Sequence, residues 1–244
     1  MTPSFRRGLK PLACLALALA LQGCATAPAG SAPSAGDPIE SWNRSVFAFN
    51  EAVDENAIKP VAKGYVNVVP SMVRTGVTNF FANFKDAWSA VNSVLQGKVG
   101  NGISNAMRVG TNTVLGFGGL LDWATEFRIE RFPEDFGQTL GVWGFGAGPY
   151  IVWPLLGPSS VRDSFGLPLD MYVTPGFLIE DTEAGIGLSV LNVVNTRANL
   201  LNATGILDDA VLDKYTFVRD GYLQRRNSLV YDGNPPQAPA SQTK

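Results

Sequence analysis

Arg44, Arg108 and Arg162 are the side chains of this sequence best suited to grip a phosphate, because a guanidinium pairs bidentately with phosphate oxygens. Each has an alternative use in an internal ion pair, as Arg162 would with Asp163 or Asp170. A second constellation is Asn43, Phe47, Asn50 and Asp54, spaced four, three and four, which places them on one face of a helix. That face is either a solvated surface with one stray phenylalanine or a polar stripe turned toward an internal path. The remaining chemistry is bounded by absence. The 244 residues contain no histidine and two cysteines, Cys14 and Cys24. Ser-His-Asp and Cys-His catalysis are therefore excluded, as is a His- or Cys-ligated zinc or iron site. Carboxylate, lysine and tyrosine chemistry remain, and no catalytic residue, metal or cofactor is expected.

Cys24 ends the segment Leu21-Gln22-Gly23-Cys24, after Arg6, Arg7, Lys10 and an apolar run from Pro11 to Leu21. A basic start, an apolar middle too short for a bilayer and small residues at a cleavage point mark a processing signal. The segment resembles the lipobox of bacterial lipoprotein precursors, which implies removal of residues 1–23 and lipidation of Cys24. Cleavage takes three of the 19 basic residues and no acidic one, moving the formal net charge from −2 to −5. Such a chain has no electrostatic basis for binding nucleic acid. Membrane attachment must come from acyl chains and apolar surface, not from a basic patch.

Residues 25–36 contain only Ala, Thr, Pro, Ser and Gly, so 24–36 reads as a flexible tether carrying the lipid. Residues 233–244 read as a disordered polar tail, which leaves 37–232 for the folded domain. Helical periodicity dominates there. Asp37 is read as an N-cap, with Pro38 at the first helical position and Glu40 at the third. Ile39, Trp42, Val46, Phe49, Val53 and Ala57 then form an apolar stripe. Further helices are expected from Ser71, from about Asp86 to Gly97, over 100–114, over 183–201, and behind a cap at Asp208. Strand signals are poor. The fold class is mainly α, a single helical domain. Only 16% of residues are charged and 45% are hydrophobic, against a usual charged share of about a quarter. Either the core is large or part of the exterior faces something other than water.

Residues 136–161 carry no charge, yet six glycines and three prolines argue against a regular spanning helix. The segment reads as irregular and packed on helices. It is either a Gly-rich core loop or a stretch with Trp143, Tyr150 and Trp153 near a lipid–water boundary.

Several stretches together carry a family likeness. They are Asp37-Pro38-Ile39-Glu40 with Asn43-Arg44, Phe47 and Phe49-Asn50; Val69-Pro70; Asn79-Phe80; Asn92 with Leu95-Gln96-Gly97; and Arg108 with Asn112-Thr113. The likeness continues through Gly116 to Asp122, Asp135 to Gly141, Gly148-Pro149-Tyr150, Pro154, Gly157-Pro158-Ser159 and Arg162-Asp163, and ends with Tyr215, Arg219 and Tyr222 to Arg226. Together these stretches resemble the MlaA (VacJ) lipoproteins, and the resemblance implies an outer-membrane lipoprotein of Gram-negative bacteria, not an enzyme, shaped as a helical ring around a channel. It implies removal of misplaced phospholipid from the outer leaflet, association with a trimeric porin and delivery to a soluble periplasmic carrier. Asn43, Arg44, Phe47, Asn50, Arg108 and Arg162 are then candidates for the phospholipid path. The competing reading is a structural or assembly lipoprotein of the envelope with no lipid path.

Overall fold

The computed structural model describes residues 37–236, and of these the side chains of 205–210 are left undescribed. Cys24, the signal, the tether and most of the polar tail lie outside the described residues. Helix α1 (Glu40–Val53) continues through a π-helical turn (Asp54–Ile58) into α2 (Lys59–Val68). After Pro70 a single helix, α3 (Ser71–Leu95), runs for 25 residues. The two helices expected on either side of Asp86 are thus one, since nothing in residues 81–90 breaks the backbone ladder. Helix α4 (Val99–Val114) packs back along α3, followed by the short α5 (Trp123–Glu126) and α6 (Phe136–Val142). Strands β1 (Tyr150–Trp153) and β2 (Gly157–Ser160) form an antiparallel hairpin, with Tyr150 opposite Ser160 and Trp153 opposite Gly157. Helices α7 (Val161–Tyr172), α8 (Pro175–Leu178), α9 (Thr182–Ala210) and α10 (Lys214–Val230) complete the chain.

The fold is mainly α, as the periodicity predicts, but its polarity is inverted. The inward face of α4 is Gly102, Asn105, Arg108 and Asn112, while Val99, Ile103, Met107 and Val114 point outward. On α3 the buried residues include Asn83, Asp86, Ser89, Asn92 and Ser93, while Val91, Val94 and Leu95 are exposed. Trp42 and Phe49, from the apolar stripe of α1, are also about half exposed. A water-soluble domain buries its apolar stripe. Here small and polar side chains draw the helices together, as in proteins packed within lipid. Gly102 shows how closely: a Cβ there would come within 2.8 Å of Val94 Cγ2 and 3.2 Å of the Ala90 carbonyl. No helix among the described residues is long and apolar enough to cross a membrane.

A closely packed interior must give irregular backbone its partners from side chains, and asparagine does so repeatedly. Asn43 donates to the Tyr150 carbonyl at 2.9 Å and accepts from the Val152 N–H at 2.8 Å, so its amide completes the edge of β1. Seven residues on, Asn50 donates to the Trp153 carbonyl and accepts from the Leu155 N–H. Asn105 treats Phe132 in the same way. Two caps differ from expectation. Asp37 does not cap α1, which begins at Glu40; it accepts from Asn43 Nδ2 and the Tyr215 hydroxyl instead. The last helix starts after Asp213, whose carboxylate accepts from the Thr216 N–H, and not behind Asp208. The uncharged 136–161 segment is more ordered than its composition suggests, because Asp135 caps α6 and β1 finds a partner in β2.

Candidate functional site

Helices α3, α6, α7, α9 and α10 converge on a cavity of about 510 Å³. Phe81, Phe84, Lys85, Trp88 and Ser89 reach it from one face of α3, at the spacing of helical turns. Pro133, Glu134, Asp135 and Gln138 come from the entry to α6, and Asp170 from the last turns of α7. Val173, Thr174 and Pro175 follow, and Asn192 comes from α9. Tyr222, Arg225, Arg226 and Leu229 line it from α10. Mostly apolar walls with a few convergent polar groups suit an amphiphile better than an ion or a sugar.

A second cavity, of about 200 Å³, adjoins the first, since Tyr222 and Arg226 line both. Its other walls include Gly141, Phe145, Arg162, Asp163 and Asn227. An ion cluster stands between them. Arg226 Nη2 lies 2.9 Å from Asp135 Oδ1 and 2.9 Å from Asp163 Oδ1. The Tyr222 hydroxyl donates to Asp163 Oδ2 at 2.7 Å. Burial pushes both carboxyls up, but the charge and hydrogen bonds of Arg226 outweigh it and hold them below the ordinary range. The same partners raise the Arg226 guanidinium despite its burial.

A carboxylate whose folded pKa is depressed stabilises the fold above its unfolded pKa, about 4 for aspartate, and loses that stabilisation as pH falls through the folded value. Unfolding of the wild type should therefore become easier below about pH 4. Arg226→Met should be less stable at pH 7 by about 1–3 kcal/mol, because it leaves the partly exposed Asp135 without a cation, while Asp163 keeps Arg162 and the Tyr222 hydroxyl. Acid then relieves that defect, so the two stabilities should converge as pH falls from 5 to 3. Parallel curves from denaturant titrations would contradict the cluster.

The structure separates the candidates read from the sequence. Asn43, Phe47, Asn50 and Asp54 do share a face of the first helix and its π-turn, but that face is packed. Asn43 is fully buried against β1, Phe47 meets the Tyr215 ring edge-on at 5.7 Å, and Asp54 receives Arg197 of α9 at 2.7 Å. The three arginines follow the ion-pair alternative. Arg44 binds Glu40 and Asp213 and lies over the Tyr215 ring. Arg108 binds Asp86 and Asp122, and Arg162 binds Asp163. Of the six path candidates only Arg162 lines either cavity. Tyr150 is fully buried and cannot sit at a lipid–water boundary, because its ring fills the core beside Tyr215 and Tyr222. Trp143 and Trp153 stay exposed, with their indole N–H groups bonded to the Leu95 carbonyl and Ser164 Oγ. The cavity residues missed from the sequence, chiefly Trp88, Gln138, Asp170 and Arg226, lie far apart in the chain. The one local hint was the Asp135–Gly141 and Tyr222–Arg226 motifs carried by the family resemblance.

Comparison with known proteins places this geometry. The family model described as MlaA lipoprotein matches residues 35–229. The intermembrane phospholipid transport system lipoprotein MlaA of Shigella flexneri is 34% identical over 229 residues, covering 91% of this chain and 90% of that protein. Its counterpart from Escherichia coli (strain K12) is 34% identical over 228 residues with the same coverage. A solved structure, described as the structural basis for maintenance of bacterial outer membrane lipid asymmetry, superposes with a TM-score of 0.69. It is 36% identical and spans 80% of this chain and 98% of that one. With a family match along most of its length and a third of its residues shared across nine-tenths of it, the chain belongs to the MlaA lipoprotein family.

Proposed function

We propose that this protein is an outer-membrane lipoprotein that removes misplaced phospholipid from the outer leaflet. It passes the lipid to a soluble periplasmic carrier and so maintains lipid asymmetry. The inverted polarity of the helices carries this reading. An exterior of exposed Trp42, Phe49, Met72, Phe117 and Phe165 needs a non-aqueous surrounding, and no described helix is built to span a bilayer. The body then lies within one leaflet, beside the acyl chains on Cys24. The cavity supplies an apolar wall for lipid chains and polar groups for a head group, and transfer between membranes requires no bond to break. A trimeric porin and a periplasmic carrier are the partners this reading includes, and the carrier side must supply any directional energy.

Two measurements test it. In a Gram-negative cell lacking its own family member, this protein should return surface aminophospholipid, labelled by a membrane-impermeant reagent, to the normal level. Cys24→Ser should fail to do so and should leave the protein outside the outer-membrane fraction, because one lost anchor removes about 0.8 kcal/mol per buried methylene. In vesicles, brominated acyl chains should quench the exposed Trp42 and Trp143 and leave the partly buried Trp88 near its unquenched level. Unquenched protein in lipid, or full complementation by Cys24→Ser, would overturn the placement.

A further inference from the structure

The smaller cavity holds a buried cation with an open edge. Arg162 is 8% exposed and spends Nε and Nη2 on a single oxygen, Asp163 Oδ1, at 2.9 and 2.8 Å. Its Nη1 forms no hydrogen bond with the described residues. Nη1 is not one of the sealed, unsatisfied atoms of the interior either, so it keeps accessible surface in the cavity that Arg162 lines. Gly141, another wall of that cavity, lies directly against it: a Cβ there would stand 2.8 Å from Nη1. The free edge presents N–H donors and a positive charge to whatever fills the space.

The other walls add donors and little competing acid. Two guanidinium groups, Arg162 and Arg226, line the cavity against one carboxylate, Asp163. That carboxylate is saturated: Oδ1 accepts from both arginines, and Oδ2 from the Tyr222 hydroxyl and Arg226 Nε. Asp135, the second partner of Arg226, lines the large cavity instead. The Asn227 amide of α10 is exposed and bonds to no described residue. The backbone N–H groups of Gly146 and Ala147, in the loop after α6, likewise donate to no described residue. At about 200 Å³ the cavity has room for a small polar group and not for an acyl chain.

We propose that the smaller cavity binds a phosphate group, with Arg162 Nη1 as the anchoring donor and the Asn227, Gly146 and Ala147 amides around it. Donors from three separate elements suit a tetrahedral phosphate better than a planar carboxylate. The phosphate comes from a lipid head group or from solution. The apolar cavity that adjoins at Tyr222 and Arg226 favours the lipid, since it offers the chains a place beside their head group. The lipid source rests on the lipid-path reading, whereas the phosphate site does not.

The test is isothermal titration calorimetry of the mature lipoprotein in an uncharged detergent. The probes are inorganic phosphate, dioctanoyl phosphatidylglycerol, and dioctanoylglycerol, which has the same chains and no phosphate. The phosphatidyl lipid should bind about tenfold more tightly than dioctanoylglycerol, as expected for a charged hydrogen bond. Inorganic phosphate should compete with it. Arg162→Gln should remove both the preference and the competition. Asn227→Asp breaks no bond of the fold, so it should unfold as the wild type does, yet its negative charge should weaken phosphate and phosphatidyl lipid about tenfold. A wild type that binds the two lipids alike and no inorganic phosphate would overturn the proposal, as would either variant with wild-type phosphate affinity. Inorganic phosphate bound through Arg162, with no gain for the phosphatidyl lipid over dioctanoylglycerol, would assign the site to a soluble phosphate. Binding of neither lipid would overturn the lipid-path reading alone.

Discussion

Arg108→Met should destabilise the protein by about 3–5 kcal/mol, a large part of the stability of an ordinary domain. Arg108 is 2% exposed and all three of its guanidinium nitrogens donate inside the fold. It donates to Asp86 Oδ2 at 3.2 Å, to Asp122 at 2.9 Å and 3.0 Å, to the Ile129 carbonyl at 2.7 Å and to Thr125 Oγ1 at 3.1 Å. It therefore ties α3, α4 and the segment around α5 together from a single point. Asp86 keeps a bidentate bond from Arg131 in the variant. Asp122 loses its cationic partner, and the Ile129 carbonyl loses its donor. The cost is a stranded charge and stranded polar groups, not lost apolar packing, so Arg108→Lys should recover only part of it: an ammonium cannot match a planar fork. Denaturant unfolding in detergent would read the difference. A loss below 1 kcal/mol would mean that water or lipid head groups reach this interior and replace the guanidinium.

Asn192→Trp should abolish lipid clearance while leaving the fold intact. Asn192 lines the large cavity from α9, is half-buried and holds no other described residue by a hydrogen bond. An indole there takes up space where an acyl chain would pass, and its removal from water favours the inward rotamer. Thermal unfolding should change by no more than about 1 kcal/mol. Surface aminophospholipid should rise to about the level of cells lacking the protein, and Asn192→Ala should behave as wild type. Wild-type clearance by the tryptophan variant would show that lipid does not travel through this cavity.

Much of the helix content was legible because period 3.6 survives inversion: a stripe of Val, Ile and Met reads as helix whichever way it faces. The orientation was not legible. Ile103 and Met107 on α4 have the spacing of core residues, and only the packing of Asn105, Arg108 and Asn112 against α3, α5 and Phe132 reveals them as exterior. The same holds for Asn43 and Asn50. Their shared face could be read from the spacing, but the strand they dock against lies more than 100 residues away. The ring of Tyr150 looked like a boundary aromatic because its sequence neighbours are uncharged; its position was decided by Tyr215 and Tyr222.

What the sequence determined by itself was local and compositional. It specified a segment ending at Cys24 that resembles a lipobox, the lack of histidine and hence of histidine-based catalysis, the helices, and the motifs that mark the family. Only the tertiary structure decided which groups are free to meet a ligand. Arg44 and Arg108 have the chemistry of phosphate partners, but carboxylates from distant segments already occupy them. Lys85, Asn192 and Arg225 carry no such mark in the chain, and each lines one cavity with no side-chain bond to another described residue. The physical reason is that a charge or amide becomes a binding group only through what its neighbours leave unsatisfied, and those neighbours are set by packing across the whole fold.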